Sequence, residues 1–345
     1  MDKYDELNRY EYYEEQFNPL RYDRKARRKR RPDTRHQPKK SESELVEETA
    51  ETIGLEGGFQ TSYTPSLYES TWLMQSLAEF YQQELISDVQ ALIKGGKEAN
   101  VYRCAAHPAT GETWLAVKVY RPRMFRNLRN DQRYRQGRTV LMPNGRPVRA
   151  KDIRLHKAMV SNTNLGKQVR HTSWLMHEFT TLELLYEVGG DVPRPVAAAE
   201  NAILMDYIGD DAGAAPALNE IDLDQDEVRP LFKCVVQNIA LMLAYGRVHG
   251  DLSAYNILYW DGEVTLIDFP QVVNSRVDSG TRHALDSRTN PDAYDILVRD
   301  VVRVCDYFGR YGLRVDGRRL AGDLWSRNAE DDMELRLADA SRYDE

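Results

Sequence analysis

The sequence predicts an α+β fold in two lobes: a small, β-rich N-terminal lobe and a short, helix-led C-terminal one. Three observations predict it. At 345 residues the chain is long enough for about two domains or one two-lobed unit with tails. Residues 89–93, 99–104 and 114–120 are apolar, β-prone runs separated by Lys94-Gly95-Gly96 and Thr110-Gly111, which is a strand, Gly-loop, strand, turn, strand order. From Asp224 onward the pattern changes to a long helical stripe, then a polar loop, then a tight Asp261-Gly262 hairpin.

Composition bounds the class. Hydrophobic residues make up 41% and charged residues 29%, with 14 Pro and 21 Gly, which excludes a wholly disordered or collagen-like chain. Cys104, Cys234 and Cys305 are widely spaced and form no Cys-x-x-Cys pair, which argues against a disulfide scaffold or zinc site and for a reducing cytoplasm. No apolar run approaches the ~20 residues of a membrane span, and Met1 precedes an acidic, Tyr-rich stretch, so neither export nor membrane insertion is expected. The net charge of -7 hides a block at residues 21–40 with eleven Lys or Arg against Asp23 and Asp33. Residues 1–62 lack a sustained apolar period and are expected to be a disordered tail, acidic and then basic. Two readings of the basic block stay open: salt-sensitive contact with RNA or the ribosome, or a solvated tail folded back on the acidic body.

The elements follow in order. Ser66 and Glu69 have capping-box spacing, with Leu73, Leu77, Phe80 and Tyr81 forming the apolar face of a helix. The three strands come next, then a polar, Arg-rich stretch at about 121–170, expected to be a mobile insertion. Trp174, Leu175, Phe179, Leu182, Leu185 and Tyr186 mark a helix ended by Gly189-Gly190, and residues 196–199 and 202–207 a hairpin. The N-lobe is thus assigned to 63–208. A C-lobe at 209–312 opens with capping-box spacing at Asp224 and Glu227 and a stripe of Val228, Leu231, Phe232, Val235, Ile239, Met242 and Leu243. It closes with a helix from Asn290-Pro291 to about Phe308, whose inward residues are expected to be Tyr294, Leu297, Val298, Val301, Val302 and Cys305. Residues 313–345 form a C-terminal extension.

The strongest chemical signal is His249-Gly250-Asp251-Leu252-Ser253-Ala254-Tyr255-Asn256, followed by a hairpin ending in Leu266-Ile267-Asp268-Phe269. Placed after a helix, Asp251 can accept a hydroxyl proton while Asn256 returns beside it to hold a metal. Asp268 supplies a hard carboxylate oxygen of the kind Mg²⁺ prefers. Turn residues before a hairpin are the plainer reading, but that leaves the upstream partners unexplained. Lys118, on a strand, can bridge nucleotide phosphates, and Glu178, on the Trp174 helix, can orient it. Glu183 lies roughly 140° round the same helix, so Glu178 is the better partner. The Gly95-Gly96 turn lets backbone amides approach phosphate, a weak signal alone. It lacks Walker A spacing, which argues against a P-loop NTPase. His171 and His177 are poorly spaced for a shared metal, and Trp72, Trp174 and Trp325 are assigned to packing.

Together these residues resemble the RIO family of atypical protein kinases, over about 85–310. Lys97-Glu98-Ala99-Asn100-Val101-Tyr102, Ala116-Val117-Lys118-Val119-Tyr120, Asp251-Leu252-Ser253-Ala254-Tyr255-Asn256 and Ile267-Asp268 resemble its nucleotide loop, lysine strand, catalytic loop and metal-binding motif. Met205-Asp206-Tyr207-Ile208-Gly209 resembles its hinge, with Met205 as gatekeeper. The insertion with Phe125, Asp131, Tyr134 and Gly137 resembles the flexible loop of the subgroup without a winged-helix domain. The resemblance implies a protein-kinase-like fold with a truncated C-lobe and ATP- and Mg²⁺-dependent serine phosphorylation, including autophosphorylation, with Mn²⁺ as an alternative ion. Some members of the family act instead as ATPase switches in small ribosomal subunit maturation, which by this resemblance would pass phosphate to Asp268. By this resemblance Asp251 is the base and Asn256 and Asp268 hold the metal. Gly96, Lys97, Glu98, Ala99, Asn100 and Lys118 surround the phosphates, with Glu178 behind Lys118. Val101, Ala116, Leu258 and Ile267 sandwich adenine beside the Asp206 and Ile208 backbone. Partners would be ATP, a protein substrate or the chain itself, and rRNA or the ribosome, in the cytoplasm. Two other readings use the same residues: an aminoglycoside-type phosphotransferase, which shares His-Gly-Asp-Leu-x-x-x-Asn-Ile-Leu, and a ribosome-assembly binding factor switched by ATP. This chain departs from the family pattern in lacking Ser-Thr before the Lys97 loop and in carrying Pro270 after the metal aspartate. Gly250 stands where regulated protein kinases carry arginine, so control by activation-loop phosphorylation is not expected.

Overall fold

A computed structural model describes residues 60–96, 98–121, 140–148, 152–161, 163–277 and 288–340. The basic block, Lys97 and the insertion residues Phe125, Asp131, Tyr134 and Gly137 lie outside the described residues.

The N-lobe is built on one sheet. Strands β1 (Gln60–Thr61), β2 (Ile86–Gly95), β3 (Ala99–Ala106), β4 (Trp114–Tyr120), β5 (Pro195–Ala198) and β6 (Ala202–Asp206) pair in the order β1-β2-β3-β4-β6-β5. All pairs are antiparallel except β1 on β2. Strand β1 corrects the expectation that residues up to 62 are disordered. Two residues carry no readable period, and they are fixed from elsewhere: the Asp88 carboxylate accepts from the Ser62 N–H at 2.8 Å and the Ser62 hydroxyl at 2.6 Å.

Helix α1 (Leu67–Gln82) begins at the capping box, where the Glu69 carboxylate accepts from the Ser66 N–H at 3.3 Å. Its Leu73, Leu77 and Phe80 are fully buried against Tyr102, Cys104, Val117 and Leu204 on one face of the sheet. Because side chains alternate along a strand, Ala116, Lys118 and Tyr120 point to the opposite face. There helix α3 (Asn164–Glu187) packs, with Leu175, Leu182 and Leu185 inward. This alternation aims the lysine at the cleft.

Helix α3 starts ten residues before the apolar stripe that marks it in the sequence. Thr163 caps it, its hydroxyl accepting from the Gly166 N–H at 3.2 Å. The first turns are polar, so periodicity does not reveal them. A further helix, α2 (Ile153–Val160), precedes it, so part of the stretch expected to be a mobile insertion is regular.

The C-lobe core gathers on helix α4 (Val228–Ala244), whose Val228, Leu231, Val235, Ile239, Met242 and Leu243 are buried. The helix begins one turn after Asp224. The Asp224 and Glu227 capping bonds close on a preceding turn instead, with the Glu227 N–H on the Asp224 carbonyl at 3.1 Å and the Asp224 N–H on the Glu227 carboxylate at 3.3 Å. Strand β7 (Arg247–Val248) leads into a 3₁₀ turn (Ala254–Asn256) and the hairpin of β8 (Ile257–Trp260) and β9 (Glu263–Leu266). Asp261 and Gly262 both have positive φ, 49° and 82°, as a type I′ turn requires. Strand β10 (Val273–Asn274) returns to pair with β7, and β11 (Arg276–Val277) pairs with β12 (Arg288–Thr289).

Helix α5 (Pro291–Gly309) is capped by Asn290, whose side chain accepts from the Asp292 N–H at 3.1 Å. Its buried face is Ala293, Leu297, Val301, Val304, Cys305 and Phe308. Tyr294, expected inward, instead sits outside that face with its ring edge-on to Trp325, 5.4 Å away, on helix α6 (Gly317–Ala340). Among the described residues no helix is long and apolar enough to cross a membrane.

Leu77 is fully buried between α1 and the sheet. Leu77→Ala should therefore lower unfolding free energy by about 2–5 kcal/mol, measured by urea denaturation with an unchanged slope.

Candidate active site

Lys118 is almost fully buried, and a buried ammonium must find anionic partners. It has two. Its Nζ lies 2.6 Å from Glu178 Oε1 on α3 and 2.5 Å from Asp268 Oδ1, just beyond β9. The second Glu178 oxygen accepts from the Tyr120 hydroxyl, and Tyr120 stacks edge-on against Trp174 at 4.7 Å. Burial alone would lower the Lys118 pKa, but Asp268 and Glu178 hold it well above the ordinary value. Burial raises the Glu178 carboxyl against the opposing pull of Lys118. Burial likewise pushes Asp268 up, yet the Lys118 ammonium wins there and keeps that carboxyl below its usual range. Asp268 adopts φ of 72°, a left-handed conformation unusual for a residue with a side chain.

The loop carrying Asp251 is held by hydrogen bonds to its backbone and by the burial of Leu252 and Ala254 in the C-lobe core. His249 is buried and bridges two segments: its Nδ1 accepts from the Asp251 N–H at 3.3 Å, while Nε2 lies 3.1 Å from the Ile267 carbonyl. One acceptor and one donor define a neutral ring with its hydrogen on Nε2. Burial holds the imidazole below its ordinary pKa despite the nearby carboxylates. Gly250, at φ of 86°, donates its N–H to Asp300 Oδ2 at 2.8 Å and its carbonyl accepts from Arg299. A Cβ on Gly250 would stand 2.1 Å from the Gln271 carbonyl oxygen. Asn256 Nδ2 donates to the Asp251 carbonyl at 2.9 Å, and the Ile267 N–H donates to the Asn256 carbonyl at 3.0 Å. The Asp251 carboxylate is half-exposed, with Arg303 Nη1 2.9 Å from its Oδ1.

Pro270 fits without loss of a needed donor. The Val272 N–H bonds to the Phe269 carbonyl at 3.2 Å, which makes Pro270 the second residue of a turn, where its fixed φ is favourable and no N–H is required.

The remaining expected residues divide. Val101 on β3 pairs with Lys118, and Ala116 on β4 pairs with Met205, so these line the cleft side of the sheet. Leu258 and Ile267 are half-buried below, and Leu258 bridges to Ala217. At the hinge the Asp206 N–H is taken by the Arg194 carbonyl at 3.0 Å and the Ile208 carbonyl by the Ala215 N–H at 2.9 Å, while the Ile208 N–H has no partner among the described residues. Gly96 closes a turn onto the Ala99 carbonyl at 3.0 Å, where a Cβ would stand 2.7 Å from that oxygen. Glu98 contributes its carbonyl to the Arg121 N–H at 2.9 Å. Asn100 is buried, and its side chain contacts Tyr102 at 2.9 Å, Arg121 at 3.1 Å and Gly96 at 3.4 Å, so it braces the loop from behind. The sequence reading missed Tyr120, Arg299, Asp300 and Arg303. Asp300 alone left a trace, as an acid within the apolar stripe of α5.

The oxygen donors fit Mg²⁺. Asn256 spends its amide nitrogen on Asp251 and keeps its oxygen, and Asp268 keeps its second carboxylate oxygen. Mg²⁺ binds such hard ligands in ones and twos with phosphate and water completing the shell. The described residues hold no cluster of three His, Cys, Asp or Glu.

A two-lobed fold whose sheet lysine is clamped between a helix glutamate and a second-lobe aspartate defines the protein-kinase-like class. A family profile described as the RIO domain matches residues 100–320. Over 241 residues the chain is 30% identical to the RIO-type serine/threonine-protein kinase Rio1 of Haloferax volcanii, covering 69% of each chain. It is 28% identical over 229 residues to the serine/threonine-protein kinase rio1 of Schizosaccharomyces pombe, covering 65% of this chain and 39% of that one, so it spans well under half of the yeast relative. The crystal structure of the Rio2 kinase–ADP/Mg²⁺–phosphoaspartate complex from Chaetomium thermophilum is a looser likeness, at 15% identity and a TM-score of 0.46, covering 86% of this chain and 97% of its own. The chain belongs to the RIO family of serine/threonine-protein kinases.

Two outcomes follow from the loop geometry. Gly250→Ala combines a left-handed φ with a backbone collision and should cost about 2 kcal/mol or more, read as a lower urea midpoint. For His249 the folded pKa lies below the unfolded one, so its stability contribution is full above about pH 6.5 and is lost as pH falls from there toward the folded value. His249→Gln should flatten that part of the curve when unfolding midpoints are compared between about pH 5 and pH 7.5.

Proposed function

We propose that this protein is an ATP- and Mg²⁺-dependent RIO-type serine kinase of the subgroup without a winged-helix domain, able to phosphorylate itself and acting in the cytoplasm in small ribosomal subunit maturation. The observation that carries the catalytic part is the clamp on Lys118, 2.6 Å from Glu178 and 2.5 Å from Asp268. It fixes a cation where nucleotide phosphates would lie and joins both lobes through one ammonium group.

In this reading the chain's residues divide phosphoryl transfer as positioning plus charge neutralisation. Val101 and Ala116 above, with Leu258 and Ile267 below, hold the adenine, and the Ile208 N–H hydrogen-bonds its edge. Lys118 grips the phosphates, oriented by Glu178. Asp251 receives the acceptor hydroxyl proton. Asn256 and Asp268 would hold Mg²⁺, which when bound draws off phosphate charge, as Mn²⁺ also would. The ribosomal part is supported by the basic block at residues 21–40 and rests on attraction to polyanions.

One observation favours a second reading, an ATPase cycle through a phosphoaspartate. The Asp268 carboxylate keeps one oxygen without a partner among the described residues, open to accept phosphate itself.

Incubation with Mg²⁺ and γ-labelled ATP separates the two. Acid-stable, hydroxylamine-resistant label that falls about 10²-fold or more in Asp251→Ala supports the serine kinase. Hydroxylamine-labile label lost in Asp268→Ala supports the ATPase cycle, and no label in either form sinks both. Removal of residues 21–40 should weaken association with small ribosomal particles and flatten its salt dependence in gradient sedimentation.

A further inference from the structure

Helix α5 presents two arginines, one turn apart, to the Asp251 loop. Arg299 donates to the Gly250 carbonyl and pairs with Asp300 at 3.0 Å. Arg303 differs. Its side chain is 43% exposed, and its one partner among the described residues is Asp251 Oδ1, reached through Nη1 at 2.9 Å. The other donors of its planar fork have no partner among the described residues and lie beside the Asp251 carboxylate. Asp251 Oδ2 has no partner among the described residues. An acceptor hydroxyl bound at Oδ2 would therefore have the Arg303 fork as a close neighbour.

We propose that Arg303 is a specificity-determining residue that selects acceptor hydroxyls flanked by carboxylates. The inference rests on the kinase reading given above. In the transfer step the acceptor oxygen forms a bond to the γ-phosphorus of ATP as the bond from that phosphorus to the β,γ-bridging oxygen breaks. ADP departs with the bridging oxygen, and the hydroxyl proton passes to Asp251 Oδ2. Arg303 stays on Oδ1 throughout, holding the base in place while its outer donors take a carboxylate next to the acceptor. A guanidinium fork suits a planar carboxylate in this way because two parallel N–H groups meet two oxygens.

The protein contains a segment of this chemistry. In Ser41-Glu42-Ser43-Glu44-Leu45-Val46-Glu47-Glu48-Thr49-Ala50-Glu51-Thr52, every hydroxyl has a glutamate next to it in sequence, and no Lys or Arg intervenes. It is the natural probe for an acid-selecting site and a self-acceptor consistent with autophosphorylation.

The test uses the full-length protein with Mg²⁺, labelled ATP and three synthetic peptides of residues 41–53: the native sequence, one with every Glu replaced by Gln, and one with every Glu replaced by Lys. For the unsubstituted protein we expect the native peptide to be favoured by about fivefold or more in kcat/KM over the Gln form, and more over the Lys form. Arg303→Gln should remove the preference by lowering labelling of the native peptide toward that of the Gln form. Arg303→Glu should reverse it, so that the Lys form becomes the best acceptor, a result that damage to the loop cannot produce. Equal labelling of all three peptides by the unsubstituted protein overturns the inference. So does an equal loss on all three in both variants, which would make Arg303 a tether only, and so does ATP turnover with no peptide labelled. An absence of any ATP turnover or self-labelling instead overturns the kinase reading beneath it.

Discussion

A lysine ammonium buried in the seam between two lobes is costly unless it is paired, and the structure is arranged to pair it. Lys118 reaches the cleft because it alternates with Val117 and Val119, which face the α1 core. Glu178 meets it from α3, and Asp268 meets it from the far lobe at the end of a hairpin. Removing either carboxylate leaves an underpaired buried charge, so the requirement ties sheet, helix and second lobe to one geometry. A purely structural pair gains little over apolar packing of the same volume, so the ion pair fits the candidate site better than a role in stability alone.

The second lobe presents its carboxylates by both hydrogen bonding and packing. His249 and Asn256 bond to main-chain groups, Asp300 and Arg299 hold Gly250, and Leu252, Ala254, Ile257 and Phe269 are buried in the C-lobe core around Asp251 and Asp268. Glycine is needed at 250 for two reasons, the positive φ and the Gln271 carbonyl pressed against it. Helix α5 adds side-chain contacts at the start of the loop: Asp300 accepts from the Gly250 N–H, Arg299 donates to the Gly250 carbonyl and Arg303 donates to the Asp251 carboxylate. Helices α5 and α6 pack against each other, and Gly317 lets α6 start close to Val302.

Where sequence and structure part, the physics of the misses is consistent. The strands at β3, β4 and β8, and the capping of α1 and α5, were legible because alternation, capping pairs and an Asp-Gly turn are local signals. Strand β1 was not, since two residues have no period and owe their pairing to Asp88. The first turns of α3 were not, since a polar helix face shows no apolar stripe and its start depends on the Thr163 cap. Tyr294 was placed inward because it is large and apolar, whereas the register of α5 buries the smaller Ala293.

The sequence by itself determined the two-lobed class and pointed to Lys118, Glu178, Asp251, Asn256 and Asp268 as candidate site residues, because they sit in runs whose spacing and composition reflect their local chemistry. Only the tertiary structure decided which side chains complete the site. Arg303 lies 52 residues after Asp251 and touches its carboxylate. Asn100, placed with the phosphates by its motif, turns out to brace the loop from behind. Contacts between distant segments are fixed by how the helices and sheet pack, and no local pattern encodes them.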